Sequence, residues 1–215
     1  MPGYSVTKTT KCNRAQPLGR KCLKSKQDSV DYADKVDRFT DLYDLDNQGH
    51  IDLYFGDQAG FSLNLNVPYG WQFADEPVRI VPQRGKQVNV SGFMKSTGDQ
   101  VHTFFKEGSV RAEFVIEAIN SWRVCLEKST VLVLDKARIH HPKLVNDCLM
   151  GWESENLRMF FLPAYSSHLN RIERLWLTAK QRWLQPTDYS DLETLKSALA
   201  DIWATFCSQY TATFS

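Results

Sequence analysis

Long hydrophobic runs are missing from this 215-residue chain, whose most apolar stretches, such as residues 159–162, are only a few residues long. A bilayer span needs ~20 such residues, so no membrane segment is expected. No apolar segment follows the first charges either, which argues against a secretory leader and for a cytosolic protein. Cysteine is sparse and unpatterned: Cys12, Cys22, Cys125, Cys148 and Cys207 are odd in number, far apart and without a C-x-x-C pair. Neither a disulfide framework nor a zinc ribbon is indicated. Glycine and proline are not in excess, at 11 and 8 residues, while 42% hydrophobic and 24% charged residues match ordinary globular usage. Collagen-like, low-complexity and wholly disordered readings therefore fail. A domain norm of roughly 100 to 200 residues makes the chain one domain plus an appendage.

Net charge is also nearly absent, at +1, but the balance is local rather than uniform. Residues 1–28 carry seven Lys/Arg, including Lys21, Lys24 and Lys26, against the single acid Asp28. Residues 29–57 reverse this with eight aspartates against Lys35 and Arg38. A basic arm followed by an acidic segment creates local fields that the sum conceals.

Hydrophobic periodicity gives the organisation. Residues 30–45 place Val36, Phe39, Leu42 and Tyr43 at loose helical spacing, closed by Asn47 and Gly49, which predicts an acidic surface helix. Residues 50–57 and 61–66 read as two strands, and Val67-Pro68-Tyr69-Gly70 breaks the second, as in a hairpin. Residues 87–95 and 101–106 predict a further hairpin around Ser96, Thr97 and Gly98. From Phe114 to Leu126 apolar residues recur at three and four, the mark of an amphipathic helix. Residues 130–134 are a β-branched and leucine run ending in Asp135, suited to a strand buried on both faces. A helix over 142–155, a second buried strand over 157–162, and helices over 170–183 and 191–210 complete the reading. Hairpins first, then strands alternating with helices, imply a mixed sheet covered by helices, an α/β layer architecture.

Three acids fall where strand ends or a helix start would aim them at a sheet edge: Asp57, Asp135 and Glu173. Clustered carboxylates need neutralising, and hard oxygen ligands suit Mg²⁺ or Mn²⁺. Two such ions ~3.5 to 4 Å apart can serve both the attacking and the leaving oxygen of a phosphodiester. Singly, each acid has a plainer explanation. Asn170-x-x-Glu173 has the form of a capping box, Asp135 can cap a turn, and Asp57 can be a turn residue.

The flanking residues shift that balance. Asp57-Gln58-Ala59-Gly60-Phe61-Ser62-Leu63, Val131-Leu132-Val133-Leu134-Asp135 with Ile139-His140, and the run from Leu162-Pro163-Ala164-Tyr165 through Ser166-Ser167-His168-Leu169-Asn170-Arg171-Ile172-Glu173-Arg174-Leu175-Trp176 together carry a pattern. It resembles the DDE transposases of the bacterial insertion sequence 630 family, within the Tc/mariner superfamily, over residues 24–214. The resemblance implies a ribonuclease H-like α/β fold with a mixed sheet flanked by helices. It implies that Asp57, Asp135 and Glu173 are the catalytic, metal-binding triad, with 37 residues between the last two, and that two Mg²⁺ or Mn²⁺ ions are the cofactors. The implied reaction is DNA cleavage and strand transfer, the partners are transposon ends and target DNA bound by a homodimer, and no membrane is involved. The implied setting is a bacterial cytoplasm, at the nucleoid when DNA is bound. Residues 29–215 would be the catalytic domain and 1–28 a basic arm or linker, with no N-terminal helix-turn-helix region expected in this chain. Lys21, Lys24, Lys26, Lys136, His140, Arg171 and Arg174 are the residues expected on nucleic acid.

Departures from the family pattern are specific. Gln58 and Lys136 stand where Glu and Asn are usual, Ala164, Ser167 and Arg171 where prolines are usual, and His168 where an acid is common. Proline in a first helical turn preorganises it, so Pro at 167 and 171 is expected to raise stability or activity. A ribonuclease or junction resolvase of the same fold, or an inactive DNA-associated remnant, are the competing readings. Asp44-x-Asp46-x-Gln48-Gly49 imitates a calcium loop, but its twelfth position is Phe55 where a bidentate Glu is required. Trp176 and Trp183 have core spacing, favouring packing over base stacking.

Overall fold

The computed structural model describes residues 29–63, 86–108, 111–135, 142–163 and 166–212. Five strands form one sheet: β1 (Asp52–Ser62), β2 (Gln87–Lys95), β3 (Val101–Glu107), β4 (Thr130–Asp135) and β5 (Leu157–Leu162). Their spatial order is β3-β2-β1-β4-β5. β1 to β3 form an antiparallel meander, whereas β4 and β5 run parallel to β1. Parallel neighbours need crossover connections, supplied here by α2 (Ala112–Arg123) ahead of β4 and α3 (Pro142–Ser154) ahead of β5.

Strand alternation divides the core between two faces. Leu53, Phe55, Ala59 and Phe61 of β1 join Val131 and Val133 of β4 beneath α1 (Ser29–Asn47), α4 (Arg171–Thr178) and α5 (Leu192–Ala204). Tyr54, Leu132 and Leu134 face the opposite way, against Ile119 and Trp122 of α2 and Val145 and Trp152 of α3. The result is a ribonuclease H-like mixed sheet flanked by helices, as the family pattern implies.

Several boundaries differ from the sequence reading. The two strands expected over 50–57 and 61–66 are one, β1, paired without interruption to β2 from Tyr54↔Lys95 to Ser62↔Gln87. Gly56 and Gly60 suggest a turn in isolation, yet the continuous partner strand overrides that local signal. The break expected at Val67 to Gly70 lies outside the described residues, as does the basic arm. β5 is an edge strand with Arg158 exposed and Met159, Phe160 and Phe161 half-buried, rather than a second fully buried strand. The helix expected over 170–183 is α4 followed by a π-helical turn, Ala179–Trp183. α5 ends at Ala204 instead of Tyr210, since Cys207 takes a left-handed φ of 67°. The apolar period continues past that point because Phe206 and Tyr210 pack on Trp183, at ring distances of 6.1 and 5.3 Å.

Candidate active site

Strand register places the first two acids. Gly56 pairs with Leu134, so the next step along two parallel strands sets Asp57 beside Asp135. Directly opposed residues in a sheet share a face, and both acids fall on the face of Phe55 and Val133, the one that α4 covers. Asp57 is only 8% exposed. A carboxylate buried to that degree stays an anion only with a cation or hydrogen bonds nearby.

Glu173 arrives in the first turn of α4, and the packing of that helix fixes where. Asp57 pairs with Gly92 of β2 on its other side. A Cβ on Gly92 would stand 2.4 Å from Cη2 of Trp176 and 3.3 Å from Cδ1 of Ile172. Only glycine lets α4 approach this closely. Trp176, one helical turn beyond Glu173, therefore lies directly over the neighbour of Asp57, and its ring meets Trp203 edge-on at 5.4 Å. Trp176 sits in the core cluster and Trp183 packs against it partly buried, as the spacing of these two predicts.

Asn170 supplies a second restraint. It precedes α4 but makes no side-chain cap bond, so the capping-box explanation of Asn170-x-x-Glu173 fails. Instead it is 2% exposed, and its Nδ2 donates to the Gly56 carbonyl at 3.1 Å. Its own carbonyl accepts the Glu173 N–H at 3.1 Å. Two hydrogen bonds through one residue thus join the peptide entering Asp57 to that of Glu173. Sequence reasoning missed this role and that of Gly92; a lone Asn before an apolar helix was the available signal, and it reads first as a cap.

Arg171, expected on nucleic acid, is half-buried and donates Nη1 to the Ser96 carbonyl at 2.8 Å. Arg174 is exposed and lines a cleft of about 840 Å³ together with Tyr43, His168, Glu173 and Arg182. Burial pushes the Tyr43 phenol above its ordinary pKa, while the adjacent Arg171 guanidinium opposes the shift. Lys21, Lys24, Lys26, Lys136 and His140 lie outside the described residues. Asp46 of the calcium-like sequence accepts hydrogen bonds from the Leu53 N–H at 3.0 Å and from the Ser96 hydroxyl, a structural anchor rather than a calcium ligand.

Hard carboxylate oxygens on one face and end of the sheet are a donor set for Mg²⁺ or Mn²⁺. Among the described residues, no three His, Cys, Asp or Glu side chains are already gathered into a ligand cluster. None of the described helices is long and apolar enough to cross a membrane.

The comparisons with known proteins agree with the fold. The family model of the DDE superfamily endonucleases matches residues 52–196, and the chain belongs to that family. No curated protein matches. Among solved structures, the Mos1 strand transfer complex superposes with a TM-score of 0.59 at 16% identity, covering 90% of this chain and 59% of that one. The Mos1 mariner paired end complex with Mn gives 0.55 at 17% identity over 88% and 59%, and that with Mg gives 0.53 at 17% over 93% and 60%. The chain spans about three fifths of the length of these proteins, and at such identities they establish the fold.

Proposed function

We propose that this chain is the catalytic domain of a DDE transposase of the Tc/mariner type, cutting DNA and transferring the freed 3′ end to a target. The observation that supports the reading is the strand register, which pairs Gly56 with Leu134 immediately before Asp57 and Asp135, on the sheet that the helix bearing Glu173 covers. Asp57 and Asp135 would hold the ions jointly, and Glu173 would complete the ligand set. When bound there, two Mg²⁺ or Mn²⁺ ions supply Lewis acidity and charge neutralisation to a phosphodiester and its attacking oxygen.

The chain's own contribution is placement. Gly92 admits Trp176 and so brings α4 down on the sheet. Asn170 fixes the distance between the Asp57 and Glu173 peptides. Burial of Asp57 leaves little of the residue open to bulk water. Arg174, with Arg182 and His168 along the cleft beside Glu173, would contact phosphates. Lys21, Lys24, Lys26, Lys136 and His140 would extend that contact, a homodimer would hold two DNA ends, and Arg171 would act more through the protein than on DNA.

The test is cleavage of a candidate transposon-end duplex, intact and nicked, in Mn²⁺ or Mg²⁺, with branched and RNA–DNA hybrid substrates alongside. Cleavage at the transposon end followed by joining to target supports the reading. Preference for the branched or hybrid substrate would identify a resolvase or ribonuclease instead. No cleavage, with no rise in melting temperature on adding Mn²⁺, would indicate a non-catalytic remnant.

A further inference from the structure

The helix that carries Glu173 is tied down at its first residue. Arg171 opens α4, and its Nη1 reaches the Ser96 carbonyl in the turn between β2 and β3, 75 residues away, at 2.8 Å. The same guanidinium lies beside the Tyr43 phenol on α1, where it opposes the rise that burial gives that phenol's pKa. Both neighbours are themselves fixed. Ser96 is 5% exposed, donates its N–H to the Leu53 carbonyl at 2.8 Å and gives its hydroxyl to Asp46. Tyr43 meets Phe39 edge-on at a ring distance of 5.1 Å. The anchor therefore belongs to α1, β1 and the β2–β3 turn at once. A guanidinium suits such a place, because its donors lie in a rigid planar fork that can serve two acceptors.

We propose that Arg171 is a positioning residue for Glu173, holding the first turn of α4 against the Ser96 carbonyl so that the Glu173 carboxylate is already oriented when metal binds. This rests on the metal-site reading above and deepens it. Without the anchor the turn samples other arrangements, and apparent metal affinity falls by the fraction of time spent in the competent one. Bound metal then restores the arrangement, so the rate at saturation changes little. The signature is a shift in metal half-saturation, not in maximal rate.

The experiment uses the full chain and single-turnover cleavage of a nicked transposon-end duplex across a Mn²⁺ titration. Variants are Arg171→Ala, Arg171→Lys, Tyr43→Phe and Lys196→Ala, the last removing an exposed pair with Glu107. Hydrogen exchange of the first-turn amides of α4 is followed in parallel. Arg171→Ala is expected to raise the Mn²⁺ half-saturation about tenfold, with the saturated rate within about threefold, if the competent fraction falls to a tenth. Arg171→Lys should recover only part of the shift, since an ammonium on a shorter stem lacks the planar fork; Tyr43→Phe should show a smaller shift and Lys196→Ala none. First-turn exchange should quicken in Arg171→Ala while the β1 and β2 amides keep their protection. A folded Arg171→Ala chain with unchanged half-saturation and unchanged exchange would overturn the proposal. So would a drop in saturated rate without a shift in half-saturation. Should Arg171→Ala fail to fold, Tyr43→Phe decides by the same two measurements. Should the wild-type chain neither cleave nor respond to Mn²⁺, the metal-site reading fails, and the exchange data alone decide whether Arg171 holds the turn.

Discussion

The side-chain nitrogen of Asn170 lies 3.1 Å from the carbonyl oxygen of Gly56, a residue 114 positions earlier in the chain. Asn170→Ala removes the donor and leaves a buried carbonyl without it. Such a loss costs about 1–3 kcal/mol, to be read as a lower urea midpoint with an unchanged m-value. Cleavage should fall further than stability does, because the same bond spaces Asp57 from Glu173. A variant of wild-type stability would show that the Gly56 carbonyl finds another donor.

Gly92→Ala should be among the most harmful small substitutions in the chain. The added methyl would sit 2.4 and 2.7 Å from the Trp176 ring, and a rigid indole clamped against Trp203 cannot fold aside. Overpacking of this kind costs about 1–3 kcal/mol or more. Pairing it with Trp176→Phe should recover part of the loss, a non-additivity that a double-mutant cycle measures.

Asp57→Asn, Asp135→Asn and Glu173→Gln are each expected to abolish metal-dependent cleavage while the chain stays folded by circular dichroism. Asp52→Asn should leave cleavage intact. Its carboxylate pairs with Lys95 at 3.2 Å and Lys128 at 3.9 Å, so a stability loss of about 0.2–1 kcal/mol, typical of partly exposed pairs, is expected rather than none. Near wild-type cleavage by any one of the three triad variants would remove that residue from the site.

Proline at 171 and at 167 should act in opposite senses on the backbone. Asn170, at φ −86° and ψ 98°, already has the extended conformation favoured before proline, and position 171 opens the helix. Backbone gain of about 0.4–1 kcal/mol is set against a charge-assisted hydrogen bond to Ser96 of about 1.5–3 kcal/mol, so Arg171→Pro should destabilise slightly. Ser166, by contrast, has ψ 35° and is fully buried. Ser167→Pro would force it out of that conformation and should lower the melting temperature more. Higher stability in both variants would restore the expectation drawn from the family pattern.

Alkaline pH should weaken the fold. Burial, then the nearby Asp52, Asp99 and Asp46, push the Tyr54 phenol up to about 12, and burial raises Tyr43 and Tyr189 as well. A phenol that ionises more easily when unfolded contributes stability that is complete below the unfolded pKa of roughly 10. That contribution is lost as pH rises toward the folded value. Urea midpoints should hold level from pH 8 to 9.5 and fall between 10 and 12, with a shallower fall in Tyr54→Phe.

What was legible in the sequence was whatever repeats with a local period. The strands over 87–95, 130–135 and 157–162 and the helix around Trp122 follow from alternation and from three-four spacing. The three proposed acids stood out because apolar runs lead into Asp57 and Asp135 and a helix opens at Glu173, although Asp57 lies within β1 and not at its end. Partners were not legible. Asn170 before a helix looks like a cap until Gly56 is brought to it, Gly92 looks dispensable until Trp176 covers it, and Arg171 looks like a phosphate contact until Ser96 takes its donor. The unbroken length of β1 was hidden for the same reason, since a partner strand that meets Gly56 at Phe93 and Gly60 at Asn89 outweighs two glycines.

The strand order has a consequence for synthesis on the ribosome. β1, β2 and β3 can zip together as soon as they emerge, but the other edge of β1 belongs to β4, whose first residue comes 68 positions after Ser62. Until then Leu53, Tyr54 and Phe55 would border an open row of backbone donors and acceptors, the kind of edge on which nascent chains stick to one another. Aggregation should therefore peak for ribosome-released fragments ending between residues 108 and 129, and decline once β4 is included.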